Sequence, residues 1–387
     1  MVLIPGFKKK NGECFLSLGI GNESVKALFF KKEKGEIVVL GNYYEYLDEF
    51  GQSENRDFET NLIKKAIISV ITKAQGQIKI KPRSVLIELP ANIIKARIVS
   101  VDYQRENFQK IISEKEETDI YHTVFKEIKK KAFEEFAQKT GILAEDFQFI
   151  TLDNLEAKID GYEIQKIQRF SGKELSFKFL VTFLPKKYLE EVEKIAKSLK
   201  FKNLKFFHEV QGLKYYAKIE KLTGIFINIG GDLTKIFLVK NGRLEMVKEF
   251  EIAGSLFSSA LSESLGITND RARILKEDYS NKTLSEEVRR KIREILSPYA
   301  QKWFSALKAE LKADNSLLPH NFFLFGGGSQ LPEIEDIIEN GEWKDIAFIS
   351  QPEVKIILPK DLKNIQDKTQ GLNSPREVSL LLLCYYA

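Results

Sequence analysis

Apolar positions along the chain change period several times, and each change marks an element. From Glu13 to Phe30 the pattern is that of strands, interrupted by Gly19-Ile20-Gly21-Asn22, and Gly35 turns the chain into a further strand, Glu36 to Gly41. Phe58 to Ala74 switches to helical spacing: Leu62, Ile63, Ala66, Ile67, Val70, Ile71 and Ala74 fall three and four apart on one face. Ser84–Leu89 predicts a buried strand stopped by Pro90. Residues 105–140 are dense in Lys and Glu, and Val124, Ile128, Phe133 and Phe136 give them one apolar stripe, so the charges form the solvated face of a helix. Strands expected at Ile159–Ile164 and Leu175–Leu184, joined around Ser171-Gly172-Lys173, complete a small α+β module. Pro185 opens a helix to Lys200. A strand at Leu222–Ile229 ends in Gly230-Gly231-Asp232, and Phe237–Lys240 and Leu244–Val247 form a hairpin about Asn241-Gly242. Ala253-Gly254 leads into helical segments at 255–265 and 269–278. A longer one spans Ser285 to Lys312, which Pro298 is expected to kink or split. Phe322–Phe325 is a short strand running into Gly326-Gly327-Gly328-Ser329. Pro332 then opens a helix to Glu339, and Pro375–Ala387 is a closing helix.

The 387 residues suffice for two or three folding units, and 43% hydrophobic with 30% charged residues fits a soluble globular protein rather than a disordered chain. The net charge of +5 gives no argument for nucleic acid. No apolar run reaches the roughly 18–20 residues of a membrane helix. The opening MVLIPGFKKK has its basic residues after the apolar stretch, the wrong order for a signal peptide. Val2-Leu3-Ile4-Pro5 with Lys8-Lys9-Lys10 is expected to be a disordered leader, a weak contact with an anionic surface being the alternative. Cys14 and Cys384 are expected as buried thiols in a reducing cytoplasm. His122, His208 and His320 are too scattered for a zinc site.

Two distant segments correspond. Leu18-Gly19-Ile20-Gly21-Asn22-Glu23-Ser24-Val25-Lys26 and Ile227-Asn228-Ile229-Gly230-Gly231-Asp232-Leu233-Thr234-Lys235 each read as strand, glycine turn and strand, and each is followed by another turn (Lys34-Gly35; Asn241-Gly242). A repeat of this kind predicts two related lobes facing each other across a cleft. Glycine at a hairpin tip lets backbone N–H groups approach phosphate oxygens. The triple glycine at 326–328, after a strand and before a helix, lets the backbone run close to a flat ligand or to a phosphate. Lys26 and Lys235 hold matching places; they are either exposed strand-end lysines or part of the same phosphate site.

These two hairpins, with Phe325-Gly326-Gly327-Gly328-Ser329-Gln330-Leu331-Pro332, resemble the two phosphate motifs and the adenosine motif of the actin/Hsp70/sugar-kinase superfamily. Within it the chain is most similar to the FtsA-like division proteins, with the PilM-like pilus proteins as close relatives, from about Glu13 to Ala387. The resemblance implies an α/β actin-like ATPase fold: two duplicated ribonuclease H-like lobes (12–89 with 179–223, and 224–370), a small SHS2-like α+β domain inserted at 90–178, and a C-terminal helix, 371–387, packing back on the first lobe. It implies ATP bound by Gly21, Asn22, Glu23, Lys26, Gly230, Gly231, Asp232, Thr234, Gly254, Lys276, Gly326, Gly327, Gly328 and Ser329, with Mg²⁺ as a further expectation. Lys276 keeps one position of a nucleoside-contacting Ala-Glu-x-x-Lys pattern, but Arg273 stands where the Glu belongs.

The departures bear on activity. The superfamily carries Asp in both hairpins, where this chain has Gly19 and Asn228. Those carboxylates position Mg²⁺ and the attacking water, and an amide is a poor partner for a hard dication. ATP binding with weak or absent hydrolysis is therefore expected, with no catalytic residue assigned, and an active sugar or acetate kinase is disfavoured. The implied role is a scaffold or adaptor at the inner face of the cell membrane. Its partners would be a tubulin-like division protein, a pilus protein, or further copies of itself in filaments. The Leu380–Ala387 run fits a core helix rather than an anchor, and the lack of the amphipathic tail typical of FtsA favours the PilM-like role. The wording of Leu155–Tyr162 and Gly172–Leu175 looks more like FtsA.

Overall fold

A computed structural model describes residues 13–47, 60–75, 82, 84–201, 203–312 and 316–387. The expected N-terminal leader and the first residues of the helix expected from Phe58 lie outside them. The chain begins with a meander: β1 (Cys14–Ile20), β2 (Ser24–Glu33) and β3 (Glu36–Tyr46), followed by α1 (Thr60–Gln75) and β4 (Ser84–Glu88), which pairs parallel to β1. Every residue of β1 and β4 is buried, as in central strands covered on both faces.

Next come β5 (Lys95–Gln104), α2 (Glu114–Thr140), β6 (Phe147–Ile159), β7 (Tyr162–Glu163) and β8 (Glu174–Pro185). They form one four-stranded antiparallel sheet in the order β5-β8-β6-β7. In this unit α2 starts at Ser113, whose side chain accepts from Glu116 N, and stops at Gly141 in the left-handed conformation. Its expected stripe, Val124, Ile128, Phe133 and Phe136, is buried, and Phe133 packs on Phe149 and Phe183 at 4.7 and 5.1 Å between ring centroids. The strand expected at Ile159–Ile164 is instead broken, because Asp160 (φ 47°) and Gly161 (φ 84°) make a tight turn of the Asp-Gly kind. Strands β5 and β6 had no expected counterpart. The compact unit spans Ile93–Glu193 and so passes the expected boundary at 178, because β8 continues in this sheet to Pro185.

The chain continues through α3 (Lys186–Ser198), β9 (Asn203–Phe206) and α4 (Glu209–Glu220). The second meander is β10 (Gly224–Ile229), β11 (Thr234–Lys240) and β12 (Arg243–Phe250), followed by α5 (Gly254–Leu265), α6 (Asn269–Ser280) and α7 (Glu286–Lys312). Helix α7 is continuous through Pro298, so the expected split does not occur. Then come β13 (Asn321–Phe325), α8 (Pro332–Asn340), β14 (Glu353–Ile356), β15 (Ile365–Asp367) and α9 (Val378–Tyr386).

The described residues from 13 to Asn92 and Lys194–Ala387 make the second compact unit, which holds two mixed sheets of like build: β15-β3-β2-β1-β4-β9 and β12-β11-β10-β13-β14. In each, a meander lies beside a parallel strand, β4 or β13. The duplication extends to the turns, since Lys34-Gly35 and Asn241-Gly242 both have positive φ at both residues. Helix α9 lies against α4 and β1: Gly212 leaves no room for a side chain beside the Leu382 backbone, and Tyr385 rests on Tyr216 at 5.0 Å. Cys14 and Cys384 are both buried and unpaired. Among the described residues no helix is long and apolar enough to cross a membrane.

Candidate functional site

The two repeats place their turns in one register. Gly19 pairs with Lys26 across β1 and β2, and Asn228 pairs with Lys235 across β10 and β11. Both turns close through the same bond, Gly21 N to Ser24 O at 2.9 Å and Gly230 N to Leu233 O at 3.0 Å. The tips meet: Asn22 Nδ2 donates to Asp232 Oδ2 at 2.6 Å, and a Cβ on Gly231 would stand 3.0 Å from Glu23 Cγ. Beneath them is a cleft with a cavity volume of ≈ 170 Å³.

Of the sequence-predicted residues, Gly21, Asn22, Glu23, Lys26, Gly230, Gly231, Asp232, Gly254, Lys276, Gly326, Gly327 and Gly328 line this cleft. Thr234 and Ser329 do not. The Thr234 hydroxyl donates to Ile252 O and accepts from Trp303 Nε1, and Ser329 Oγ donates to Gly326 O, so both hold the protein body together. Gly326 (φ 87°) presses against Ile229 and Asn228, whereas the space around Gly327 is open. Gly254 is needed for close approach, because its absent Cβ would stand 2.9 Å from Gly230 O.

Four cations line the cleft, Lys26, Lys276 and Arg376 around it and Lys235 at its floor. Lys276 Nζ, from α6, donates to Gly254 O at 2.7 Å and Ser258 Oγ at 2.8 Å. Burial lowers its pKa. Lys26 Nζ donates to Arg376 O at 3.2 Å, and its pKa is lowered by burial and then by the neighbouring Arg376 charge. Arg376 donates to Tyr46 Oη at 3.0 Å. Neither Lys26 nor Lys235 is an exposed strand-end lysine: Lys26 is half-buried and Lys235 is 7% exposed.

The floor of the cleft is a buried polar network that sequence reasoning missed. Lys235 Nζ lies 2.6 Å from Glu209 Oε1 and 3.6 Å from Glu88 Oε1. Asn228 Nδ2 donates to Glu209 Oε2 at 2.6 Å, Glu209 N to Glu88 Oε1 at 3.1 Å, and Ser379 Oγ to Glu88 Oε2 at 2.9 Å. Burial raises the Glu88 pKa. Lys235 is raised too: burial opposes its charge, but Glu209 and Glu88 outweigh burial. Glu88 closes the buried run SVLIE of β4, and a charge at the C-terminal end of a parallel strand is a place where ligands bind; that signal was present in the sequence. Glu209 owes its position to α4, where His208 Nδ1 caps the helix by accepting from Val210 N.

Gly19 and Asn228, where the sequence resemblance implies Asp, offer no carboxylate here. A Cβ on Gly19 would stand 2.8 Å from Leu380 Cδ2, so an apolar side chain from α9 fills the place of the first one. The amide of the second, Asn228, is committed to Glu209. Among the described residues no group of three or more His, Cys, Asp or Glu side chains is arranged to hold a metal ion. Glu88 and Glu209 are near each other, but an ammonium already sits against both. With that ammonium held between them, the two carboxylates do not fit Mg²⁺, which would meet a like charge where it needs free oxygen ligands. Arg273 is absent from the cleft lining and instead stacks on the Tyr46 ring, 3.7 Å from its centroid.

No family model and no curated protein matches the chain. Solved structures do. The chain is similar to PilM in the PilM–PilN type IV pilus biogenesis complex, with TM-score 0.63 and 14% identity over 96% of this chain and 98% of that one. It is also similar to the ethanolamine utilization protein EutJ from Carboxydothermus hydrogenoformans, with TM-score 0.53 and 12% identity over 98% and 92%. The duplicated sheets, their facing glycine turns and this likeness make the fold an actin-like ATPase fold.

Proposed function

We propose that this chain is a nucleotide-binding actin-like adaptor that holds ATP in the cleft and hydrolyses it weakly or not at all. One observation carries the reading: two glycine turns in identical register converge on one cleft, which Lys26, Lys276 and Arg376 make attractive to phosphate. The loss of a carboxylate at both Gly19 and Asn228 supports slow turnover, since nothing at those positions orients a metal or a water. The cleft volume of ≈ 170 Å³ is below the roughly 300–1,000 Å³ of small-molecule sites. Entry of a nucleotide therefore requires the cleft to widen.

Of the two roles implied by resemblance, a PilM-like adaptor of pilus assembly is supported by likeness to PilM over nearly the full chain. It would reach the inner face of the membrane through a membrane-bound partner. The FtsA-like role, a filament-forming division scaffold bound to a tubulin-like protein, is favoured by the wording of Leu155–Tyr162 and Gly172–Leu175. Calorimetric titration with ATP tests the shared core of both, and no heat at micromolar protein refutes it. Turnover near one per second, within the ordinary range of enzymes, refutes the adaptor reading. Co-sedimentation with and without ATP then separates a filament from a monomeric adaptor, and binding of a PilN-type peptide supports the pilus role.

A further inference from the structure

The second glycine hairpin carries its own cation to the cleft floor. Lys235 lies in register with Asn228, and the two side chains divide Glu209 between them, Nζ on Oε1 and Nδ2 on Oε2, each at 2.6 Å. Glu88 receives Lys235 at 3.6 Å on Oε1 and a Ser379 hydroxyl on Oε2. Both oxygens of Glu209 and both of Glu88 thus already lie against an ammonium, an amide or a hydroxyl of the protein. A dication placed there would also meet an ammonium a few ångströms away, and in so dry a place that repulsion is weakly screened. Lys235 is 7% exposed, Glu88 6% and Glu209 fully buried, so the triad is not a surface ion pair that rearranges freely.

We propose that Lys235 takes the place of the divalent cation, so that the cleft binds a nucleoside triphosphate without metal. The inference rests on the nucleotide reading above and deepens it. Lys235 offsets one of the two negative charges of Glu209 and Glu88, which would otherwise repel the phosphates more strongly. The phosphate charge is then met by Lys26, Lys276 and Arg376, all of which line the cleft, and by backbone N–H groups of the turns. Asp232, at the tip of the same hairpin, is already paired with Asn22 Nδ2.

The test is calorimetric titration of the full chain with ATP, once with excess EDTA and once with excess magnesium. The expected dissociation constants agree within about three-fold. Tightening by magnesium of about ten-fold or more overturns the inference while leaving nucleotide binding intact. No ATP affinity in either buffer overturns the nucleotide reading, and metal-free triphosphate binding with it. Lys235→Met assigns the effect to the residue: with folding checked by circular dichroism, its ATP affinity is expected to become magnesium-dependent by about ten-fold. A folded Lys235→Met protein indifferent to magnesium overturns the assignment to Lys235. Lys235→Arg, which keeps the charge, is expected to behave as wild type in both buffers. Should Lys235→Met not fold, the two wild-type titrations still decide whether the cleft binds the triphosphate without metal.

Discussion

Replacing Lys235 by Met removes one charge from a triad and leaves two carboxylates without their cation. Glu209 is fully buried and Glu88 is 6% exposed, so neither recovers its lost partner from water. Breaking a buried ion pair by removing one partner costs about 3–5 kcal/mol, because an uncompensated charge stays behind. Two stranded carboxylates put Lys235→Met at the upper end of that range. Glu209→Gln is expected to cost less, since Lys235 keeps Glu88 as a partner and the new amide still accepts from Asn228. The double variant is expected to lose less than the sum of the two, as groups in one network do. Urea unfolding followed by tryptophan fluorescence reports on the right region. Trp303 is in the core of the second repeat, Trp343 packs against it, and Trp303 Nε1 bonds to Thr234, next to Lys235 in β11. The pH dependence has a definite sign. Lys235 is raised above its ordinary 10.5, so its contribution is complete below that pH and lost as pH rises through the folded value. On the alkaline side the gap between wild type and Lys235→Met should therefore narrow above about pH 10.5. A Lys235→Met protein within about 1 kcal/mol of wild type at neutral pH would refute the reasoning.

Other changes separate the structural from the ligand-facing parts of the site. Gly326→Ala puts a Cβ against Asn228 and the Ile229 backbone at φ 87°, and a loss of about 1–3 kcal/mol is expected in the same urea assay. A Cβ at position 327 meets nothing within 4 Å, so for Gly327→Leu the melting temperature should hold while ATP affinity falls about ten-fold by titration. In the inserted unit Arg105 is 3% exposed and bonds Glu116 through Nε and Nη2 at 2.8 and 3.0 Å and the Gly172 and Lys110 carbonyls at 2.9 Å. Arg105→Met should destabilise that unit by about 1–3 kcal/mol, since Glu116 regains water but the Gly172 and Lys110 carbonyls lose their donor, read by limited proteolysis between residues 105 and 112. Burial pushes the Cys14 thiol up to about 11 and raises Cys384 as well, so neither should react with a thiol reagent at pH 8 until urea unfolds the chain.

Local chemistry in the sequence determined much of the fold. Alternating and helical periods located β1 to β4 and α1, the Asn241-Gly242 turn defined its hairpin, and the corresponding glycine segments disclosed the duplication, because such patterns are written within a few residues of one another. The same reasoning ran two strands together across Asp160-Gly161 and overlooked β5 and β6. Both strands pair with β8, and β5 alternates buried Val99 and Val101 with exposed Ser100 and Asp102, so its signal was present and overlooked, whereas the burial of β6 follows no regular alternation. At the cleft, the glycines and Lys276 were legible as turn and motif residues. Only the tertiary structure decided what surrounds them. Leu380 stands in the place of a side chain at Gly19 from the far end of the chain, and Lys235, Glu88 and Glu209 meet from a hairpin, a strand end and a helix start. A charge buried among charges is stable only with its partners in place, and no spacing along one strand reveals partners that the fold supplies from elsewhere.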